Sequence, residues 1–258
     1  MAEKSLYEQW CEGDVITPVA KQFMNGQFEV APNEEIVPRW QGTPLEPWIF
    51  GLWPRDRTCE LWYQIYFIFY SFIPKGCLGC WKVVYRPKTV VALMKIHDLQ
   101  YGKHRKQGIY SKCGMESRKF VSGLYNAFWY APLGCGLEDA RKFHKKVARD
   151  IRDRVGIQAK VILKHGCTEM EQFTIRAFGV GSDKWDELYE KLKWEKLEKR
   201  LEGKYRIDNE EKIYRPQDLE RDHQKRKCVE WACSWGDETY LQLTNGVKLF
   251  PEPVTYHE

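Results

Sequence analysis

The order of predicted elements between residues 80 and 171 limits the possible folds more than any other feature of this sequence. The segment "CWKVVYRP" alternates and is rich in β-branched and aromatic residues, which predicts a strand that ends at Pro87. "KTVVALMKIHDLQYG" has one apolar face at helical spacing, so it predicts a helix that stops near Gly102. Two more strands are expected in "GIYSKCGMESRKF" and "GLYNAFWYAP". A second amphipathic helix over 136–156 and a last strand, "AKVILKHGCTEME", complete the series.

This order of strand, helix, strand, strand, helix, strand is that of a ferredoxin-like βαββαβ unit. Such a unit has a four-stranded antiparallel sheet with two helices on one face. The chain is therefore expected to be an α+β protein with this basic, ferredoxin-like domain over residues 75–175.

The two ends of the chain are expected to be extensions of that domain. Residues 1–74 are aromatic and Pro-rich, so they favour an extended arm packed on the core. Residues 176–258 are acidic and predicted to be mainly helical, with one long helix over 182–203. A terminal hairpin is expected to turn at Asn245 and Gly246.

Charge is divided unevenly along the chain, although the net charge is only +5. Residues 75–164 contain 20 Lys and Arg against 6 Asp and Glu, and both flanking regions are net negative. A basic block of this kind indicates a polyanionic partner, because phosphates release counterions when Lys and Arg replace them. The alternative is a basic surface that keeps the chain soluble or contacts its own acidic ends.

Strand alternation predicts that the sheet face opposite the helices carries the cations of this block. They are Lys82, Arg86, Lys112, Arg118, Lys160 and Lys164. The third strand adds either Phe128 and Tyr130 or Tyr125 and Trp129, and the alternation leaves both choices open. An open sheet face with cations and aromatics can bind single-stranded RNA or DNA through phosphate contacts and base stacking. The sequence therefore predicts a nucleic-acid-binding protein, on architecture alone, since it lacks the paired aromatic signature of RNA-recognition domains.

The cysteines indicate a second kind of site. Cys77 and Cys80 form a Cys-x-x-Cys pair just before the first strand, and His165 and Cys167 are expected beside them because the first and fourth strands should be neighbours. These four residues could bind zinc. Cys113 is a rival for the position of fourth ligand. If it joined Cys77, Cys80 and Cys167, the four thiolates could hold an iron–sulfur cluster instead. Zinc is the first candidate cofactor and the cluster the second, and buried, unreactive thiols are the simpler alternative.

Acid–base chemistry has only weak candidates. Glu169 and Glu171 are expected on the same side of an extended segment, where a carboxylate pair could transfer protons or bind a divalent cation. Glu116 is the one acid among the cations of the sheet face. A metal-dependent enzyme acting on a nucleotide or nucleic acid is therefore the alternative function. A protein-interaction or inhibitor module, with aromatic surfaces that contact a protein partner, is the second alternative.

The cellular location is also predicted from composition. Nine cysteines, an odd number, without a secretory signal favour reduced thiols and an intracellular, cytoplasmic protein. The most apolar run, residues 61–73, is shorter than the roughly 20 residues that span a bilayer, so it predicts a buried element and no membrane partner. Nothing in the sequence indicates the oligomeric state.

Overall fold

Five strands form one antiparallel sheet. The computed structural model of the chain describes residues 12–13, 28–30, 36–38, 48–52, 58–116, 121–202, 204 and 218–250. The strands in these ranges are β1 (Phe28–Val30), β2 (Ile36–Pro38), β3 (Trp48–Leu52), β4 (Trp81–Tyr85), β5 (Ser111–Met115), β6 (Tyr125–Tyr130) and β7 (Val161–His165). β1 and β2 pair with each other, and the large sheet has the order β3-β5-β6-β4-β7. The protein is therefore α+β, with neighbouring strands antiparallel throughout the large sheet.

The helices differ in length and regularity. They are α1 (Thr58–Leu61), α2 (Lys75–Leu78), α3 (Val90–Leu99), α4 (Leu137–Val155), α5 (Thr168–Phe178), α6 (Trp185–Lys191), α7 (Trp194–Glu202) and α8 (Asp218–Ser234). Wider π-helical turns, Trp62–Phe67 and Gln100–His104, extend α1 and α3. Within the described ranges no helix is long and apolar enough to cross a bilayer.

α3 and α4 pack on one face of the sheet, which we call the helix-side face. Val83, Cys113 and Trp129 point into this core and meet Leu93 and Val147 from the helices. Thr89 caps the start of α3, and its hydroxyl oxygen accepts a hydrogen bond from the amide of Ala92. Such a cap satisfies one of the amides that a helix leaves unpaired at its first turn.

A buried polar chain fixes the end of α3 against the sheet and α4. The indole of Trp129 donates to Nδ1 of His104 at 2.7 Å, and the Nε2 of His104 lies 3.0 Å from Asp150. Lys103 completes the chain, with its ammonium 2.7 Å from the other carboxylate oxygen. The pKa of Asp150 is lowered, because these two hydrogen bonds outweigh the effect of burial, which raises it. The carboxylate therefore stays ionised as an anchor for three elements.

A second apolar cluster lies beside the sheet. It joins the π-helical turn after α1 to α5, α6 and α7, through buried side chains that include Ile65, Phe72, Met170, Trp185 and Trp194. The apolar run predicted to be buried, residues 61–73, forms much of this cluster. Glu198 of α7 connects it to α2, because its carboxylate accepts hydrogen bonds from the amide of Lys75 and the hydroxyl of Tyr189.

The structure corrects several expectations about the elements. The sheet has five strands instead of four, because Trp48–Leu52 of the N-terminal region pairs with β5 as an edge strand. The last strand of the series ends at His165, and residues 168–178 form α5 rather than an extended segment. The left-handed φ of +61° at Gly166 makes this change of direction possible.

Two expectations for the C-terminal third were also wrong. The long helix over 182–203 is divided into a 3-10 turn, α6 and α7, with a break at Lys193, whose φ is +53°. The hairpin is replaced by a 3-10 helix, Glu238–Gln242, although Asn245 and Gly246 both adopt the positive φ of a turn. Asp237 starts this 3-10 helix, and its carboxylate also accepts hydrogen bonds from the amide of Val90 and the hydroxyl of Tyr125.

Candidate functional site

The strand register decides which aromatics share a face with the predicted cations. Lys82 lies opposite Tyr130, and Lys112 lies opposite Phe128. Paired residues on antiparallel strands point to the same side of a sheet. Phe128 and Tyr130 therefore belong to the cationic face, which we call the second face, and Tyr125 and Trp129 belong to the helix-side core.

Lysines and aromatic rings alternate along the second face. The ammonium of Lys112 lies 4.3 Å from the ring centre of Trp48, and that of Lys82 lies 5.8 Å from the ring centre of Phe128. The rings of Trp48 and Phe128 are 5.7 Å apart. Cations at this distance over aromatic faces are attracted to the ring quadrupole. The added strand β3 thus supplies Trp48 and Phe50, which the sequence did not place on this face.

The middle of the second face is buried. Lys82 is 8 % exposed, Val84 2 %, Phe128 7 % and Trp48 6 %. We expected an open face, and these central side chains are not accessible as a platform for bases. Of the other predicted cations, Lys112 and Lys164 are half-buried, Arg86 and Lys160 are exposed, and Arg118 lies outside the described residues.

An open depression of about 500 Å³ lies beside the rim of this face, next to the edge strand β7. Arg86, Lys164 and Glu171 are among the residues that line it. Lys164 is already paired, because its ammonium lies 2.6 Å from the carboxylate of Glu171. Arg86 and the nearby Lys160 are therefore the accessible predicted cations of this rim.

Exposed cations are concentrated on α4 instead. Residues 141–154 carry seven Lys and Arg and two Asp, and one of these, Asp150, is buried in the polar chain described above. The exposed members are Arg141, Lys142, Lys145, Lys146, Arg149 and Arg154, of which Lys142 pairs with Glu138 and Asp139 and Arg154 pairs with Asp98. Lys95, Lys103 and Lys106, from α3 and the turn after it, are also exposed. The outer surface of α4 is thus strongly basic. The sequence pattern had predicted only the apolar face with which this helix packs on the core.

The predicted pairing of the first and fourth strands of the series is confirmed, and it brings cysteines together. β4 pairs with β7, and the amide of Gly166 donates to the carbonyl of Cys80 at 2.8 Å. Burial and, next, the neighbouring thiols of Cys167, Cys80 and Cys59 raise the pKa of the Cys77 thiol well above its usual range. Cys59, from α1, was not predicted here, because a lone cysteine in a Pro-broken segment gives no ligand spacing to read.

Two of the predicted metal ligands contact other groups. The ring nitrogens of His165 are 2.8 Å from the carbonyl oxygen of Ser182 and 2.7 Å from that of Leu78, and the ring stacks on Trp81 at 4.3 Å. Both nitrogens are therefore occupied by backbone contacts. Cys113 points into the helix-side core, where Cys228 is its neighbour. Among the described residues, no group of three His, Cys, Asp or Glu is arranged around one metal ion.

The three predicted carboxylates do not form an acid–base site. Glu171 accepts hydrogen bonds from Lys164 and from the hydroxyl of Ser182, and these bonds lower its pKa more than burial raises it. Glu169 lines a separate depression on α5 with Phe173 and Arg176. The expected pairing of Glu169 with Glu171 is wrong, because residues two apart on a helix do not face each other. Glu116 is buried at the end of β5.

Comparison with known proteins adds no relative to this description. No family model, no curated protein and no solved structure matches the chain.

Proposed function

We propose that this protein binds nucleic acid, with most of the affinity coming from phosphate contacts on α4. The observation that carries this proposal is the cluster of exposed Lys and Arg between residues 141 and 154. Phosphate contacts of this kind position a protein on a strand and supply salt-dependent affinity without reading sequence. The accessible acids of α4 offset only part of this potential, since Glu138 and Asp139 pair with Lys142 and Asp153 is exposed, and the six exposed cations outnumber these three acids.

The proposed interface differs from the centre of the second face for a physical reason. Base stacking needs an exposed aromatic surface, and Phe128 and Trp48 are almost fully buried. The rim residues Arg86 and Lys160 remain exposed and are proposed as secondary phosphate contacts. Both single-stranded RNA and single-stranded DNA fit this mode, because phosphate contacts do not distinguish them.

The proposal is tested by measuring the binding of fluorescent single-stranded RNA, single-stranded DNA and duplex DNA at low salt. The test variant reverses three exposed charges of α4: Lys145→Glu, Lys146→Glu and Arg149→Glu. The control reverses three exposed charges elsewhere: Lys184→Glu, Lys191→Glu and Lys193→Glu. Both change the net charge equally, so a general field effect weakens both alike. We expect at least a tenfold loss of affinity in the α4 variant only, equivalent to about 1.4 kcal/mol.

Absence of binding by the wild-type chain at low salt would refute the proposed function. Equal losses in the two variants would show that net charge, and not α4, determines binding.

We also propose that β4, α3, β5, β6, α4 and β7 form a ferredoxin-like unit, to which β3 adds an edge strand. Two features support this proposal: the order of the elements along the chain and the strand order β5-β6-β4-β7. A cytoplasmic location is proposed as well, supported by the eight described cysteines, none of which forms a disulfide.

A further inference from the structure

The depression beside β7 has features that phosphate contacts on α4 do not explain. Its volume of about 500 Å³ is within the range of ligand sites in proteins, about 300–1,000 Å³. The apolar residues Trp81, Ile162 and Leu163 line it together with Thr168, at the start of α5, and Asp183, in the 3-10 turn before α6. Such a mixture is typical of sites for a small ligand group that has both apolar and polar parts.

The charges of the acidic and basic residues that line the depression cancel. Arg86 and Lys164 are positive, and Glu171 and Asp183 are negative. The ammonium of Lys164 lies 2.6 Å from one carboxylate oxygen of Glu171, and the other oxygen accepts a hydrogen bond from the hydroxyl of Ser182 at 2.8 Å. A phosphate gains little from such a balanced surface, whereas an uncharged group is not repelled. The depression therefore favours a neutral ligand group, in contrast to the surface of α4.

The outer edge of β7 offers hydrogen-bonding groups of the backbone. Lys82 of β4 and Lys164 of β7 are paired, and the carbonyl of Trp81 points the other way, to β6, where it accepts from the amide of Ala131. Backbone groups of successive residues in an antiparallel strand point to opposite sides. Those of Lys82 and Lys164 therefore point at each other, and those of Leu163 point away from the sheet.

Two further observations agree with this direction. The carbonyl oxygen of Val161, two positions before Leu163, lies 3.1 Å from Nε2 of His144 on α4. Among the described residues, no strand pairs with the outer side of β7. Leu163, which lines the depression, thus carries a backbone donor and acceptor on the open side of the edge strand.

Trp81 gives the depression an aromatic wall. Its ring is half-buried and stacks on the ring of His165, with centres 4.3 Å apart and planes at 19°. His165 is in turn held between the carbonyl oxygens of Leu78 and Ser182. The wall is therefore fixed in place. Aromatic side chains of this kind can stack on any nucleic-acid base, because every base has a π-face.

We propose that the depression binds one unpaired base of a single-stranded nucleic acid whose phosphates contact α4. The base stacks on Trp81, and its edge hydrogen-bonds with the amide and carbonyl of Leu163. One strand can reach both places, because His144 and Val161 join α4 to β7. This inference rests on the proposed function, since α4 supplies most of the affinity. It adds a preference for single strands, because the bases of a duplex are paired and stacked within the helix.

Abasic DNA tests the proposal with the full chain. Two fluorescent single strands of equal length are compared at low salt, one with all its bases and one with abasic internal nucleotides. Both carry the same phosphates, so their contacts with α4 are equal. We expect the abasic strand to bind about tenfold more weakly. Equal affinities would overturn the base site and leave the proposed function standing, whereas no binding by either strand would refute both.

Filling the depression tests its location. Thr168→Phe adds bulk inside it, and Ile175→Phe is the matched control, because Ile175 is exposed on the same helix outside the depression. Thr168→Phe should bind both strands with the affinity that the wild type has for the abasic one, and the control should keep the difference. An unchanged affinity for the abasic strand shows that the variant is folded.

Ser122→Phe, at an exposed position of the same depression, is a second variant with the same expected result. A preference for the strand with bases that survives in both filled variants would overturn the depression as the base site.

Discussion

At the residue scale, His97 is the buried group with the most direct consequence for pH dependence. Its side chain is 2 % exposed and stacks on Tyr101, with ring centres 5.7 Å apart. Burial first, and then the nearby positive charge of Lys225, lower the pKa of His97 to about 4, although Asp98 acts in the opposite direction. Among the described residues its Nε2 has no hydrogen-bond partner. In the folded protein the His97 ring therefore stays neutral as the pH falls from 7 towards about 5.

The first prediction concerns stability between pH 7 and pH 5. In the unfolded chain a histidine takes up a proton near pH 6.5, whereas in the folded state His97 does so only near pH 4. The stability contributed by the neutral ring is complete above pH 6.5 and is lost as the pH falls towards 4. Between pH 7 and pH 5 the free energy of unfolding of the wild type should therefore fall by about 2 kcal/mol more than that of the His97→Phe variant. Urea unfolding of both chains at the two pH values measures this difference.

The control for this prediction is His223→Gln, which changes an exposed histidine of α8. This variant should follow the wild-type pH dependence. A pH dependence of the His97→Phe variant identical to that of the wild type would mean that His97 takes up its proton at the same pH in the folded and unfolded states.

Single residues also show which parts of the candidate site could be predicted. The pairing of β4 with β7, which places Cys167 next to the segment that carries Cys77 and Cys80, was predicted correctly from the order of the elements. The neighbouring Cys59 was not predicted, because its position depends on how α1 packs, and no local pattern encodes that. Glu169 and Glu171 were assigned to a strand because Gly166 was read as part of it, whereas its left-handed conformation starts a turn.

At the element scale, the turn between β7 and α5 depends on a close approach of backbone and ring. A Cβ atom added to Gly166 would lie 2.3 Å from the ring of Trp185. Trp185 is fully buried in the second apolar cluster, and its indole nitrogen donates to the hydroxyl of Thr174 at 2.9 Å. The ring therefore has little freedom to move away. Only glycine fits both the space and the φ of this position.

The second prediction compares two glycines that have similar backbone conformations. Gly166 has a φ of +61° and Gly179, at the end of α5, has a φ of +68°, but an added Cβ at Gly179 would meet nothing within 4 Å. Gly179→Ala should therefore cost only the backbone strain, about 1 kcal/mol. Gly166→Ala should cost about 3 kcal/mol, because overpacking against Trp185 adds to that strain. Urea unfolding of both variants measures the difference, and equal costs would mean that the second cluster repacks freely.

Element order was more predictable than element ends. The apolar periodicity of α3 and α4 and the alternation of β4 were strong local signals, and these elements lie where they were expected. β3 was missed because it is stabilised by pairing with β5, 59 or more positions further along the chain, and not by its own sequence. The helix predicted over 182–203 is divided because Lys193 adopts a positive φ. A lysine in the sequence does not predict this conformation.

In the molecule as a whole, the cations of residues 75–164 lie on two different surfaces, the second face of the sheet and the outer surface of α4. The second face keeps Lys82 buried and Lys112 half-buried, whereas α4 presents most of its cations to solvent. The net charge of residues 75–164 was visible in the sequence, but its division between these surfaces was not. It depends on which face of the sheet the rest of the chain covers, and that is a property of tertiary packing.

The third prediction uses salt to decide which surface contacts phosphates. For single-stranded nucleic acid the slope of log affinity against log salt is about −0.7 for each phosphate contact. Neutralising three cations of α4, with Lys145→Gln, Lys146→Gln and Arg149→Gln, should therefore make the slope shallower by about 2. Neutralising the two proposed rim contacts, Arg86 and Lys160, together with the exposed Lys88 should change the slope by less than about 1, since the rim supplies only secondary contacts. The measurement is a binding titration at four or more salt concentrations for each chain. Because each variant loses the same charge, a larger change in the rim variant would place the phosphates on the second face, and α4 would then be a solvated surface only.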